Sequence, residues 1–152
     1  MVGNQIKINK VDHIGIRVVD AQTSINFYKH LGFELHKEVD FDSVIILKNE
    51  NDVEINLIVN GTALKEGQNI LMDVAEKYPG YTHLAFNVDS IVNTIEILSK
   101  NQIAISQGPV SFGDDGHVSV FLRDPDRNVV ELRGRVEDSG VIEGLVHYDP
   151  NG

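Results

Sequence analysis

His13-Ile-Gly-Ile-Arg-Val18 and His83-Leu-Ala-Phe-Asn-Val88 are two versions of one phrase. Each opens on a histidine, places apolar residues at every second position and runs into an Asp and an amphipathic segment. The parallel extends outward. Phe33 and Ile103 each lie twenty residues after their histidine, where a helix should give way to a strand. Farther on, Val53-Glu-Ile-Asn-Leu-Ile-Val-Asn60 corresponds to Asn128-Val-Val-Glu-Leu-Arg-Gly134. The chain therefore reads as a duplicated unit, and duplication decides its architecture before any other signal.

Within the first copy, residues 7–18 are expected as a strand, with Ile8, Val11, Ile14, Ile16 and Val18 as its apolar positions. Asp20 is a suitable N-cap for a helix whose Ala21, Ile25 and Tyr28 form a stripe widened by Phe27 and Leu31. Gly32 stands where a helix ends in a left-handed residue. Strands are expected at 34–39, 43–48 and 53–59, with Asn49-Glu-Asn-Asp52 as turn chemistry. Residues 61–79 form a connector broken by Gly61, Gly67 and Pro79-Gly80, with a short helix at 70–77. The second copy repeats the order: strand 81–88, helix 90–100 with Ile91, Ile95 and Leu98 on one face, then strands 103–106, 117–123 and 129–132. Gly113-Asp-Asp-Gly116 suits a hairpin loop. The segment 135–152 shows no periodicity and is expected to fray or to pack on a partner. The fold class is α+β, with βαβββ twice.

Composition bounds the function. Thirteen Lys and Arg against 23 Asp and Glu leave a net charge of −10. A nucleic-acid backbone or an anionic membrane needs clustered cations, so neither is expected as a partner. Without cysteine there is no disulfide or thiolate metal site, and any metal must be held by N and O donors. No apolar run approaches the roughly 18 residues that span a bilayer. The N-terminal residues lack the apolar core of a signal peptide, so a cytoplasmic protein is the expectation.

A four-stranded unit cannot cover both of its faces, so the two copies are expected to pair. Paired as equivalents, their first and last strands face a shared cleft and aim His13, His83 and Glu131 into it. On the last strand of the first copy, Glu54 and Asn56 share one face because side chains alternate. Two imidazoles and one carboxylate, with Asn56 or Glu54 in a fourth place, are a ligand set that leaves positions open on Fe(II) or a related ion.

Five motifs give these residues a family likeness: Asp12-His-Ile-Gly-Ile-Arg-Val-Val-Asp20, Ser24-Ile-Asn-Phe-Tyr28, Leu31-Gly-Phe33, Tyr81-Thr-His-Leu-Ala-Phe86 and Asp124-Pro-Asp-Arg-Asn-Val-Val-Glu-Leu132. In this order they resemble the vicinal oxygen chelate superfamily. That group includes glyoxalase I, extradiol dioxygenases, fosfomycin-modifying thiol transferases, methylmalonyl-CoA epimerase and bleomycin-resistance proteins. The resemblance implies a single domain over 7–134, built from modules at about 7–60 and 80–134, whose paired βαβββ units form an open, cup-like sheet around a divalent metal. His13, His83 and Glu131 match three of the family's four ligand strands. The glyoxalase I register for the fourth, four residues before an Asn, falls on Asn56, with Glu54 two residues earlier.

The resemblance further implies a metal-dependent enzyme acting on a small molecule with vicinal oxygens. Fe(II) or Mn(II) is favoured, with Ni(II) and Zn(II) as alternatives, and chemistry of the dioxygenase type is slightly preferred. A glyoxalase-like (lactoylglutathione lyase) isomerisation, with Glu131 as ligand and proton acceptor, is the alternative; a non-catalytic, resistance-type binder is another. Ring-cleaving members carry a Tyr ten residues before the Glu ligand, where this chain has Phe121. His117 is a candidate acid–base group. Arg17 sits four residues after His13, where bacterial glyoxalases bind a thiol cofactor's carboxylate, and with Asn60 and Phe121 it completes the candidate substrate contacts. A homodimer is compatible with the family. His30, His36 and His147 carry no expected chemistry, and Arg127 replaces the family's usual Gly in a turn.

Overall fold

A computed structural model describes residues 3–113, 115–136 and 142–149. The chain divides into two compact units, Met1–Thr62 and Ala63–Gly152. Residues 63–79 of the expected connector thus fall with the second unit.

In the first unit the order is β1 (Ile14–Arg17), α1 (Ala21–His30), β2 (Glu34–Val39), β3 (Val44–Lys48) and β4 (Glu54–Ile58). The sheet runs β1-β4-β3-β2, with β1 parallel to β4 and the other pairs antiparallel. Asp20 caps α1 by accepting from the Thr23 backbone N–H at 2.8 Å, and the Thr23 hydroxyl donates to the same oxygen. These bonds hold the Asp20 carboxyl below its ordinary pKa. Gly32, at φ 93°, turns the chain out of the helix as its position predicts. Asn49 Oδ1 accepts from the backbone N–H groups of Asn51 and Val53, closing the β3–β4 turn. Ile25, Tyr28, Ile45, Leu47, Ile55 and Leu57 are buried and make the core of this unit.

The expected strand at 7–18 is shorter than its apolar pattern suggested. β4 begins at Glu54, and the ladder starts with Ile14 opposite Ile55. Residues before His13 have no strand to pair with, and Ile8 and Val11 stand 83% and 74% exposed. A strand needs a ladder partner as well as a pattern.

The second unit repeats the order as β5 (His83–Asn87), α2 (Ile91–Lys100), β6 (Gln107–Ser111), β7 (His117–Arg123) and β8 (Val129–Arg135), and adds β9 (Val146–His147). Its sheet runs β5-β8-β7-β6-β9, with β5 again parallel to the last strand of the repeat. Ser90 caps α2 through Asn93 N–H. The repeat is legible bond by bond: Phe33 N–H donates to Tyr28 O, and Ile103 N–H to Leu98 O. α2 packs on β7 and β8, where Val118, Val120, Leu122, Val130 and Leu132 are buried.

Three expectations in this unit need correction. The strand expected at 103–106 begins at Gln107, because the first residues after α2 are spent closing the helix and joining Phe121 through the Ser106 N–H. Residues 70–77 form turns and bends instead of a helix. There Asn69 Oδ1 accepts from Leu71 and Met72 N–H, while Asp73 is drawn to Arg123 and Arg127. The segment 135–152 is not wholly without structure. Its residues 146–147 add a parallel strand to β6, and Tyr148 N–H donates to Ser111 O at 2.7 Å. Residues 137–141 and 150–152 of that segment lie outside the described residues, as does Asp114 of the expected hairpin loop.

Candidate metal centre

Strand register places the candidate ligands. In the second unit Ala85 pairs with Glu131, so His83, two residues earlier on β5, shares a face with the Glu131 side chain on β8. His83 Nε2 lies 3.1 Å from Glu131 Oε1. The other ring nitrogen, Nδ1, is 2.9 Å from the Thr82 hydroxyl. The other carboxylate oxygen, Oε2, accepts a 2.7 Å hydrogen bond from the Ser119 hydroxyl, and Ser119 is fully buried. Every polar atom of the pair thus has an assigned neighbour, and the chain runs Thr82, His83, Glu131, Ser119.

This arrangement fits a divalent cation. If His83 donates from Nδ1 to Thr82, its Nε2 lone pair and the Glu131 oxygen are two electron-rich atoms facing one another across 3.1 Å. Such a pair needs a proton or a metal ion between them. Two donors bound about 2.1 Å from an ion at right angles stand about 3 Å apart. Among the described residues no three His, Asp or Glu side chains gather as a ready metal cluster. The geometry brings together two of the expected ligands, His83 and Glu131.

His13 belongs to the first unit. It immediately precedes β1, and its side chain is about half exposed. Nδ1 lies 3.5 Å from Asp12 Oδ1 and 4.0 Å from Glu54 Oε2, while Glu54 also faces Lys48 Nζ at 3.7 Å. Asn56 pairs with Gly15, two residues beyond His13. It is therefore the counterpart of Glu131, and Glu54 is the counterpart of Val129. Asn56 Oδ1 is buried and has no hydrogen-bond partner. A polar atom left in that condition is costly, and it is the orphan a bound group would satisfy.

The remaining candidates divide between the units. Arg17 and Asn60 bond to each other, Nε to Oδ1 at 3.0 Å. Phe121 meets the His83 ring edge-on at 5.9 Å, and Phe112 meets Phe121 at 6.2 Å. Tyr148 of the C-terminal segment packs on Phe112 at 5.2 Å, so an apolar aromatic row adjoins His83. His117 stands farther along β7, its Nδ1 3.1 Å from Asp115 Oδ2, which also accepts from Arg133 at 2.8 Å. The His117 backbone N–H, aided by the charges of His117 and Arg133, holds the Asp115 carboxyl below its ordinary pKa. This grouping ties the loop before β7 to β8. Sequence pattern singles out neither Ser119 nor Thr82 as a functional residue. An alternating strand containing a serine and a threonine beside a histidine are too common to signal a role on their own.

Comparisons with known proteins give the chain its family and fold. Over 146 residues the chain is 30% identical to the metallothiol transferase FosB of Staphylococcus epidermidis, covering 94% of this chain and 90% of that protein. It is 29% identical to the virulence protein STM3117 of Salmonella typhimurium over 133 residues, 84% of this chain and 85% of that one. The crystal structure of STM3117 superposes with a TM-score of 0.61 at 27% identity, over 86% of this chain and all of the other. A glyoxalase/dioxygenase from Nostoc punctiforme shares the fold with a TM-score of 0.68 at 21% identity, over 90% of this chain and 100% of that one. Residues 10–132 match the family described as the Glyoxalase/Bleomycin resistance protein/Dioxygenase superfamily, and the chain belongs to it.

Proposed function

We propose that this protein is a divalent-metal-dependent enzyme acting on a small molecule with neighbouring oxygen atoms, with His83 and Glu131 of the second unit as metal ligands. The observation that carries the reading is the facing pair, His83 Nε2 and Glu131 Oε1, 3.1 Å apart with Thr82 and Ser119 behind them. His13 is the first-copy equivalent of His83 and stands beside Glu54 in its own unit. When bound, the metal would supply Lewis acidity toward a substrate oxygen.

The chain's own residues favour group transfer over proton shuttling. A proton shuttle between two carboxylates would call for a second acid on the rung equivalent to Glu131, and that rung carries the neutral amide Asn56. Phe121, against the His83 ring, brings no hydroxyl that could donate to a bound oxygen. It offers an apolar edge-on contact to the imidazole instead. A thiol attacking an electrophilic carbon needs neither a second base nor a phenol, and the similarity to a metallothiol transferase supports that class of reaction. Attack forms the C–S bond as the C–O bond breaks, and the proton given up by the thiol is taken up by the departing oxygen.

The test is metal content after anaerobic purification without chelators, followed by assay of the loaded protein with low-molecular-weight thiols and small epoxides. About one Mn(II) or Fe(II) per chain, with loss of turnover in Glu131→Gln while the circular dichroism spectrum is retained, is the expected result. Oxygen uptake with catechols would favour ring cleavage instead. No bound metal and no thermal shift with Fe(II), Mn(II), Ni(II) or Zn(II) would leave a non-catalytic binder.

A further inference from the structure

We propose that Ser119 is a positioning residue that fixes Glu131 as a one-oxygen donor, and that this keeps the metal open to a small molecule. The inference rests on the metal reading above and goes beyond it. A carboxylate beside a divalent ion can bind through one oxygen or chelate through both, and the second mode consumes a coordination position a substrate could use. In this protein the choice is built into the second unit. The Ser119 hydroxyl donates to Oε2 at 2.7 Å, leaving Oε1 toward His83.

Burial makes the constraint firm. Ser119 is fully buried and Glu131 is 8% exposed, so water does not compete freely for Oε2. Ser119 stands on β7 between Val118 and Val120, both buried, and β7 is paired with β8 along its whole length. Phe121 lies directly opposite Glu131 and Ser119 opposite Arg133, so the serine reaches the carboxylate diagonally from two rungs away on the same face. Rotation of the Glu131 carboxylate toward chelation would break the Ser119 bond and leave a buried hydroxyl without its acceptor. Thr82 restrains His83 in the same manner, through the ring nitrogen that faces away from Glu131.

The experiment is titration of the metal-free full chain with Co(II), following its visible absorption and its affinity by calorimetry. Wild type, Ser119→Ala, Ser119→Cys and Ser119→Thr are compared, with folding checked by circular dichroism. Ser119→Ala should weaken Co(II) binding by about 10-fold or more and change the intensity of the visible bands, as expected when an outer partner of a ligand is lost. Ser119→Cys, close in size but a poor donor, should shift in the same direction, and Ser119→Thr should restore both readouts. If wild type binds Co(II) and the Ala and Cys variants bind it with the same affinity and spectrum, the role of Ser119 is overturned while the metal reading stands. If wild type binds no Co(II), both fall.

Discussion

Asn56 and Glu131 hold the same rung in the two repeats. Asn56 pairs with Gly15 and Glu131 with Ala85, and each partner stands two residues after its repeat's histidine. One rung carries a carboxylate braced by Ser119, and the other carries an amide whose Oδ1 is buried and unpartnered. The duplication is thus symmetric in backbone and asymmetric in charge. Equivalent rungs offer a carboxylate in one unit and a neutral amide in the other.

Replacing Asn56 tests what the amide does. Asn56→Val removes an unsatisfied buried oxygen and adds a residue that suits a strand. Stability should rise by about 1 kcal/mol, a Tm gain of roughly 2–4 °C for a chain of this size. Co(II) or Mn(II) affinity should stay within about threefold of wild type, since a neutral amide is a weak donor to such ions. Calorimetric titration checks this, and a loss beyond tenfold would make Asn56 the fourth ligand.

Asp73 links residues 69–73 to the β7–β8 turn and carries a pH signature. It accepts from Arg127 Nε at 2.6 Å and from Arg123 at 3.2 Å, and the Arg127 bond above all lowers its pKa from 3.8 to about 2. The folded state therefore binds this proton less readily than the unfolded chain does. The stabilisation is fully present above about pH 4 and is lost as the pH falls from there toward 2. Asp73→Asn should lower Tm at pH 7 by a few degrees, about 1 kcal/mol, and flatten the dependence between pH 4 and 2. Thermal melts across that range measure it.

Gly134, the residue after Arg133 on β8, is a packing constraint at the end of the repeat. A Cβ there would lie 2.8 Å from the Val88 carbonyl oxygen and 3.0 Å from Val88 Cγ2. Gly134→Ala should cost about 1–3 kcal/mol in denaturant melts. Gly113→Ala, with nothing within 4 Å, serves as the neutral control.

Local signals were the most legible in the sequence. The Asp20 cap, the Gly32 exit and the Asn49 turn act within a few residues, so their chemistry is written in adjacent letters. Helix α1 and strands β2, β3 and β4 fall within a residue of expectation for that reason. The strand start at Ile14 and the failure of residues 70–77 to form a helix were not local matters. The first depended on where β4 begins, and the second on two arginines some fifty residues downstream.

The candidate site divides along the same line. His13, His83 and Glu131 are singled out as candidates by duplication and strand parity, which assign residues to faces without any knowledge of distance, and the structure brings His83 and Glu131 together. By itself, then, the sequence determined the βαβββ repeat, the donor types and the mismatch of Asn56 with Glu131. Only the tertiary structure decided that Ser119 grips one oxygen of Glu131, that Thr82 holds the far nitrogen of His83 and that residues 146–147 return to β6. Pattern fixes which face a side chain takes, whereas partnership between distant strands depends on register and on hydrogen bonds formed when the chain folds.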